Sequence, residues 1–370
     1  MLDVRVKRRD GTRVSKPAPD QSLADHGPDA ISSRGLTYPF GETVPDYGAV
    51  VEIVPGVGWT RQLVPGSLKH INCWLLDDGD GMAVVDTGLN LPHTAENWDK
   101  AIAGRKVTRV ICTHFHPDHV GAAGTLCARH GVPLWMTRGE WLTARFLVAD
   151  VQDSQPSEVT AMRVGAGWSG EQMADAAKRG WGSFRTIVSK MPAGFTRLQD
   201  GDRVKIGVGE WRIVTGAGHS PEHACLIDDA RRLMIAGDQV LPRITSNVSL
   251  GVMEPDGDPL GEWLASIAKL HALPEDLLVL PAHGEPFTGL HARLERLAKG
   301  HRDGLDRLAA HIKDEPKRAV DCFSPLFKRP IDGSVLGLAT GETLAHLRHL
   351  ERRGRAVMED RDGVWWWRAA

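Results

Sequence analysis

Four side chains of metal-ligand type fall within six residues: His114, His116, Asp118 and His119, inside Thr113–Gly121, which reads Thr-His-Phe-His-Pro-Asp-His-Val-Gly. Three more of the same kinds stand far downstream, His219, Asp238 and His283, each beside a glycine (Gly218, Gly237, Gly284). Imidazole and carboxylate are the donors that borderline divalent cations such as Zn²⁺ take. An isolated histidine is usually a solvated surface group, but a His-x-His-x-Asp-His run behind an apolar strand is a metal-site pattern. Such a set can do hydrolysis. A divalent cation held there lowers the pKa of its bound water and holds the negative charge that develops on a carbonyl or phosphoryl oxygen.

Each ligand group follows a run that reads as a buried strand. Val107–Cys112 precedes the first cluster, Glu210–Thr215 precedes His219, Arg232–Ala236 precedes Asp238, and Leu277–Leu280 precedes His283. Four strands that deliver ligands at their carboxyl ends can converge on one edge of stacked sheets. A small-residue helix is expected from Val120 to about Arg129. Upstream, Ala49–Val54, Thr60–Val64, Ile71–Asp77 and Met82–Asp86 alternate with Gly and Pro, a β-meander with a tight turn at Asp78–Gly81. A helix over Leu91–Gly104 and strands at Pro133–Met136 and Ala224–Asp228 complete an α/β organisation around stacked sheets.

Residues 139–195 interrupt this pattern. Helices are expected over Glu140–Val151, Gly170–Gly180 and Trp181–Lys190, with Trp141, Phe146, Trp168, Trp181, Phe184 and Phe195 among them. The segment reads either as a cap over a cleft or as a helical subdomain with its own small core. Residues 242–261 read as a long loop, Glu262–Ala272 as a helix and Leu290–Asp314 as a long amphipathic helix. Helices over Lys317–Phe327 and Thr340–Arg353, then strands at Arg355–Glu359 and Val364–Arg368, have the order of a winged helix. Residues 1–35, charged and poor in apolar groups, read as a loosely draped arm.

The chain has 370 residues, room for two domains or one with an appendage, and its net charge of −2 gives no global pull towards nucleic acid or anionic membrane. Five cysteines, an odd number without a Cys-x-x-Cys pair, argue against a disulfide framework. With no apolar leader and no spanning run, the expectation is a cytoplasmic protein without a membrane partner.

His114-x-His116-x-Asp118-His119, His219, Asp238 and His283, with Asp86-Thr87-Gly88 upstream, resemble the metallo-β-lactamase superfamily over about residues 45–290. The resemblance implies an αββα sandwich that holds two divalent metals at one sheet edge, Zn²⁺ foremost, with Mn or Fe as alternatives. His114, His116 and His219 would hold one metal, and Asp118, His119 and His283 the other, with Asp238 as the bridge. Asp118 and Asp238 are then the catalytic carboxylates. Asp86 either orients a ligand histidine or caps the following helix. An aspartate at 238, where dizinc β-lactamases use a cysteine, points to the glyoxalase II-like branch. The only tyrosines are Tyr38 and Tyr47, so the homoserine-lactonase arrangement, with a tyrosine after the bridging aspartate, is disfavoured.

Arg243, Ser246 and Asn247 follow the bridge and are candidates to meet substrate; Arg243 suits a carboxylate or phosphate. The other histidines read as surface or packing groups, with His223 the one placed to reach the site. The chain divides into an arm (1–35), a catalytic domain (36–290, insertion 139–195) and a winged-helix-like domain (291–370). The expected activity is attack on an ester or thioester carbonyl of a small molecule by a metal-held hydroxide. The alternative is a nuclease or phosphodiesterase that guides single-stranded RNA through the tail. A mononuclear iron oxygenase or a metabolite-binding regulator fits the full ligand set less well. For the tail, packing or a homodimer contact through Trp365-Trp366-Trp367 is favoured over nucleic-acid binding by the basic Thr340–Arg353.

Overall fold

Short apolar runs closed by glycine and proline pair into two sheets in the computed structural model, which describes residues 30–178 and 180–370. Most of the expected arm, residues 1–29, lies outside the described residues; its end forms a small hairpin, β1 (Ile31–Ser33) and β2 (Leu36–Tyr38). The first sheet has the order β3 (Val51–Val54), β4 (Val57–Val64), β5 (Lys69–Asp78), β6 (Gly81–Val85), β7 (Lys106–Ile111), β8 (Leu134–Thr137), β9 (Thr196–Leu198). The meander β3–β6 is antiparallel, and β6 to β9 are parallel. Parallel neighbours need crossovers, and helices supply them: α1 (Pro92–Ile102), α2 (Pro117–Val120) with α3 (Ala123–His130), and α4 (Arg138–Ala149), α5 (Ser157–Ala166) and α6 (Gly170–Ala177).

The second sheet runs β10 (Arg203–Ile206), β11 (Gly209–Gly216), β12 (His223–Asp228), β13 (Leu233–Gly237), β14 (Leu278–Pro281). Only β13 and β14 are parallel, joined through α7 (Pro259–Leu270). Then follow α8 (Leu290–His311), α9 (Leu336–Arg352) and a closing hairpin, β15 (Ala356–Arg361) and β16 (Val364–Ala369).

The central strands are apolar on both faces because both faces are covered. In β6, Ala83 and Val85 face the opposite sheet while Met82 and Val84 lie under the helices. In β13, Leu233 and Ile235 point between the sheets while Met234 and Ala236 pack outward against α7, α8 and α9. Trp59 and Trp74 stack at 6.1 Å between the sheets, with Trp211 in the same cluster. Burial of each such side chain contributes about 1.5–3 kcal/mol, and the result is helices, sheet, sheet, helices, the expected four layers.

Two expected helices do not form, and one that was not expected does. Trp181–Lys190 holds only a single 3₁₀ turn, Ser183–Thr186. Gly182 sits at φ 103°, in the left-handed region, and Trp181 exchanges backbone hydrogen bonds with Gln152, so the chain cannot continue helically there. Lys317–Phe327 holds only the 3₁₀ turn Ala319–Cys322. The Lys317 backbone instead bonds in both directions to Trp367 of β16, each at 2.8 Å. The unexpected helix is α5, whose Gly165 lies so close to the Trp365 ring that a Cβ would stand 2.5 Å from Cε2. The insertion is therefore braced between two partners. Trp141, Phe184 and Phe195 pack on the first sheet's helical layer, while α5 docks on the closing hairpin.

Trp367 is buried in the same apolar cluster as Trp263 and Leu260, so the C-terminal elements share a core with the second sheet's outer face. The five cysteines are free and buried. No described helix is long and apolar enough to cross a membrane.

Candidate metal centre

Strands β7, β11, β13 and β14 each end in a loop at the same edge of the sandwich, and the seven expected ligand residues meet there. His114 Nε2 and His116 Nδ1 lie 2.8 Å apart, His116 Nδ1 and His219 Nε2 3.0 Å, and His219 Nε2 and His114 Nε2 3.3 Å. Zn–N bonds of about 2.0–2.1 Å set donor atoms of a tetrahedral site about 3.3 Å apart, so this triangle has the dimensions of a three-histidine site. The second group is Asp118, His119 and His283, with His283 Nε2 3.3 Å from Asp118 Oδ2 and His119 Nε2 3.9 Å from the same oxygen. Asp238 stands between them. Its Oδ2 lies 3.3 Å from His219 Nε2, and its Oδ1 lies 3.5 Å from both His119 Nε2 and His283 Nε2.

The donor chemistry fits cations at both points. His119 Nε2, His283 Nε2 and Asp238 Oδ1 are buried without a hydrogen-bond partner, and buried polar atoms are otherwise almost always paired. Burial pushes the His114 and His116 rings towards the neutral form, His116 to about 3, with neighbouring imidazoles adding to the effect. Burial also acts against the charged forms of the second group, but mutual attraction outweighs it. His119 and His283 are raised by the facing carboxylates, and Asp118 is held down at about 2 by His119 and His283. A cation that replaces the protons on those two rings would bind more tightly as pH rises.

Four of the ligands, His119, His219, His283 and Asp238, are held by a partner behind them. Asp86, at φ 59° as β6 ends, takes His119 Nδ1 at 2.8 Å and accepts from the Thr113 backbone N–H at 2.8 Å and from its hydroxyl. Asp86 thus orients a histidine, and the cap position of α1 carries no side-chain bond. His219 Nδ1 donates to the Asn247 carbonyl and His283 Nδ1 to the His70 carbonyl, each at 2.7 Å. Gly237 makes room for this packing: at φ 49°, a Cβ there would stand 2.6 Å from the His223 ring. His223 does reach the site, as a support, for its Nε2 accepts the Asp238 backbone N–H at 3.1 Å.

A profile of the metallo-beta-lactamase superfamily matches residues 66–283, and one of the metallo-beta-lactamase-like C-terminal domain matches residues 305–370. The chain belongs to the metallo-β-lactamase superfamily. Its fold is similar to the crystal structure of a beta-lactamase domain protein from Burkholderia ambifaria, with TM-score 0.83 and 36% identity over 90% of this chain and 98% of that one. Among curated relatives, an atrochrysone carboxyl ACP thioesterase of Emericella nidulans is 24% identical over 88% of this chain and 87% of its own length. The human acyl-coenzyme A thioesterase MBLAC2 is 25% identical over 50% of this chain and 63% of its own.

The site includes one group that the sequence did not disclose. Glu140, in the first turn of α4, is buried; its Oε2 accepts from the Phe115 N–H at 2.9 Å, and its Oε1 from the Ser220 hydroxyl at 2.7 Å and the Glu222 N–H at 2.6 Å. One carboxylate therefore ties the His114–His119 loop to the His219 loop, and burial pushes it up to about 7. No spacing rule marks it. The residues expected to meet substrate each have a partner within the protein. Arg243 pairs with Glu285 at 2.8 Å over the Tyr38 ring, Ser246 donates to the Asp238 carbonyl, and Asn247 Nδ2 donates to Glu342 Oε2 of α9 at 3.0 Å.

Two outcomes follow from these supports. Asp86→Asn should weaken metal binding about 10- to 100-fold in a chelator-competition titration, without loss of fold by circular dichroism; unchanged affinity would remove Asp86 from its orienting role. Burial pushes the Glu342 carboxyl from 4.5 up to about 7, with the Asn247 bond opposing. The folded chain then binds more protons than the unfolded chain between those values, so this group's contribution to stability declines as pH rises through them. Glu342→Gln should flatten that slope in Tm measured against pH, and an identical slope would show that Glu342 ionises normally.

Proposed function

We propose that the chain is a binuclear metal-dependent hydrolase of thioester or ester carbonyls, in the glyoxalase II-like branch of its superfamily. The observation that carries this reading is Asp238, whose two oxygens face opposite ligand groups while Oδ1 and the facing His119 and His283 nitrogens lack any protein partner. Nitrogen and carboxylate donors of this kind suit Zn²⁺ best. Bound cations would ionise a water near neutral pH and polarise the carbonyl.

The remaining work falls to the chain. Burial keeps His114 and His116 neutral, so these two rings add no charge to their half of the site. Asp118 and Asp238 supply the negative charge, and Asp118, held at about 2, is too weak a base to keep a proton at neutral pH. Asp118 therefore acts first as a ligand. Asp86 and Glu140 hold the two loops that carry the ligands. An aspartate at the bridge, the thioesterase names of two relatives, and the absence of any cysteine from the site support carbonyl chemistry over β-lactam opening.

We divide the chain into an arm (1–35), a catalytic domain (36–290, insertion 139–195) and a winged-helix-like domain (291–370). For the last, packing is the favoured role. His346 and His349 of its basic helix are buried, and the Arg348 guanidinium lies 5.7 Å from the Trp367 ring centroid.

The test is hydrolysis of a phosphate-free acyl thioester, S-hexanoyl-N-acetylcysteamine, by purified full-length protein. Chelation should abolish the rate and Zn²⁺ restore it, and His116→Ala should cost about 100-fold or more in kcat/KM. Full activity in His116→Ala, or cleavage of phosphodiesters but not thioesters, would overturn the reading.

A further inference from the structure

An arginine-lined cavity of about 350 Å³ lies beside the loop that follows Asp238, walled by Ser33, Arg34, Tyr38, Pro242, Arg243, Arg293 and Arg296. Its place follows from the chain. Pro242 is four residues beyond Asp238, and a Cβ on Gly284, the neighbour of His283, would stand 2.8 Å from the Pro242 ring. Pro242, part of the cavity wall, therefore packs against the loop that carries His283.

Three separate elements bring the arginines together. Arg34 sits at the tip of the β1–β2 hairpin, at φ 53° and followed by Gly35 at φ 75°. That tip rests on the start of α8, where a Cβ on Gly289 would lie 2.4 Å from the Gly35 carbonyl oxygen. Helix α8 then contributes Arg293 and Arg296, one turn apart. The loop after Asp238 contributes Arg243.

Among the described residues, three of the four guanidinium charges have no acidic partner. Arg293 is buried, yet its guanidinium donates only to the neutral carbonyls of Leu241 and Ile244. Arg296 donates to the Arg34 carbonyl. Among the described residues, no carboxylate pairs with Arg34, Arg293 or Arg296, and only Arg243 has an acidic partner, Glu285. No acidic residue lines the cavity among the described residues. Like charges gathered this closely repel unless an anion stands among them, and guanidinium forks match phosphate oxygens in geometry.

We propose that this cavity binds the phosphate groups on the thiol carrier of a thioester substrate and so places its carbonyl at the metal centre. The proposal rests on the thioester reading above. Several guanidinium groups offer more donors than the two oxygens of one carboxylate can accept, which favours a phosphate or diphosphate over a carboxylate. Phosphate of this kind is found in a nucleotide-linked thiol carrier and in a phosphopantetheine arm.

Calorimetric titration of the full-length protein with 4′-phosphopantetheine and with adenosine 3′,5′-bisphosphate tests the site without recourse to activity. At least one probe should bind, with affinity that falls as salt is raised. Its Kd should rise about tenfold in each of Arg34→Gln and Arg296→Gln, and whichever probe binds identifies the carrier. Arg34 is exposed at a hairpin tip, so its replacement leaves the core intact. Absence of binding by both probes, or a Kd unchanged in both variants, overturns the proposal even if S-hexanoyl-N-acetylcysteamine is hydrolysed. Binding that the variants lose, in a protein that hydrolyses no thioester, upholds the anion site and overturns the thioester reading instead.

Discussion

Five imidazoles and two carboxylates crowd into one sheet edge with unpaired nitrogens and oxygens turned towards each other. Burying such groups without a partner costs several kcal/mol, and the sandwich tolerates it because cations can stand among them. Asp238 is the centre of this constraint. It faces both ligand groups, its backbone N–H is held by His223, and its carbonyl accepts from Ser246. Displacing this one residue would uncouple the two halves.

The sandwich meets the constraint by making every approach rigid. Strands packed on both faces cannot slide, so the loops at their carboxyl ends start from fixed points. Asp86 then fixes His119, Glu140 ties two loops together, and two backbone carbonyls, those of His70 and Asn247, hold the outer nitrogens of His283 and His219 on the side away from the ligand cluster. Through Asn247 the hold on His219 extends to Glu342 of α9. The C-terminal elements therefore reach the centre through one hydrogen-bonded step, besides covering the second sheet.

The ligand set was legible in the sequence because residue type and spacing alone mark it, and the strands were legible because runs apolar on both faces have few other uses. Supports that act through a carbonyl, such as His70 and Asn247, leave no trace in residue type. Glu140 is a lone glutamate on a helix, and only its burial distinguishes it. Trp181–Lys190 and Lys317–Phe327 misled for different reasons. A left-handed glycine interrupts the first, and pairing with a strand some fifty residues away claims the backbone of the second. The basic character of Thr340–Arg353 was legible too, but not that His346 and His349 turn inward, because helical phase depends on what the helix packs against.

The most direct measurement is anomalous diffraction above the zinc absorption edge from crystals of the full-length protein grown with Zn²⁺. Two peaks about 3.5–4 Å apart are expected, one within the His114, His116 and His219 triangle and the other among Asp118, His119 and His283, with Asp238 between them. A single peak, or peaks away from Asp238, would contradict the shared two-cation centre.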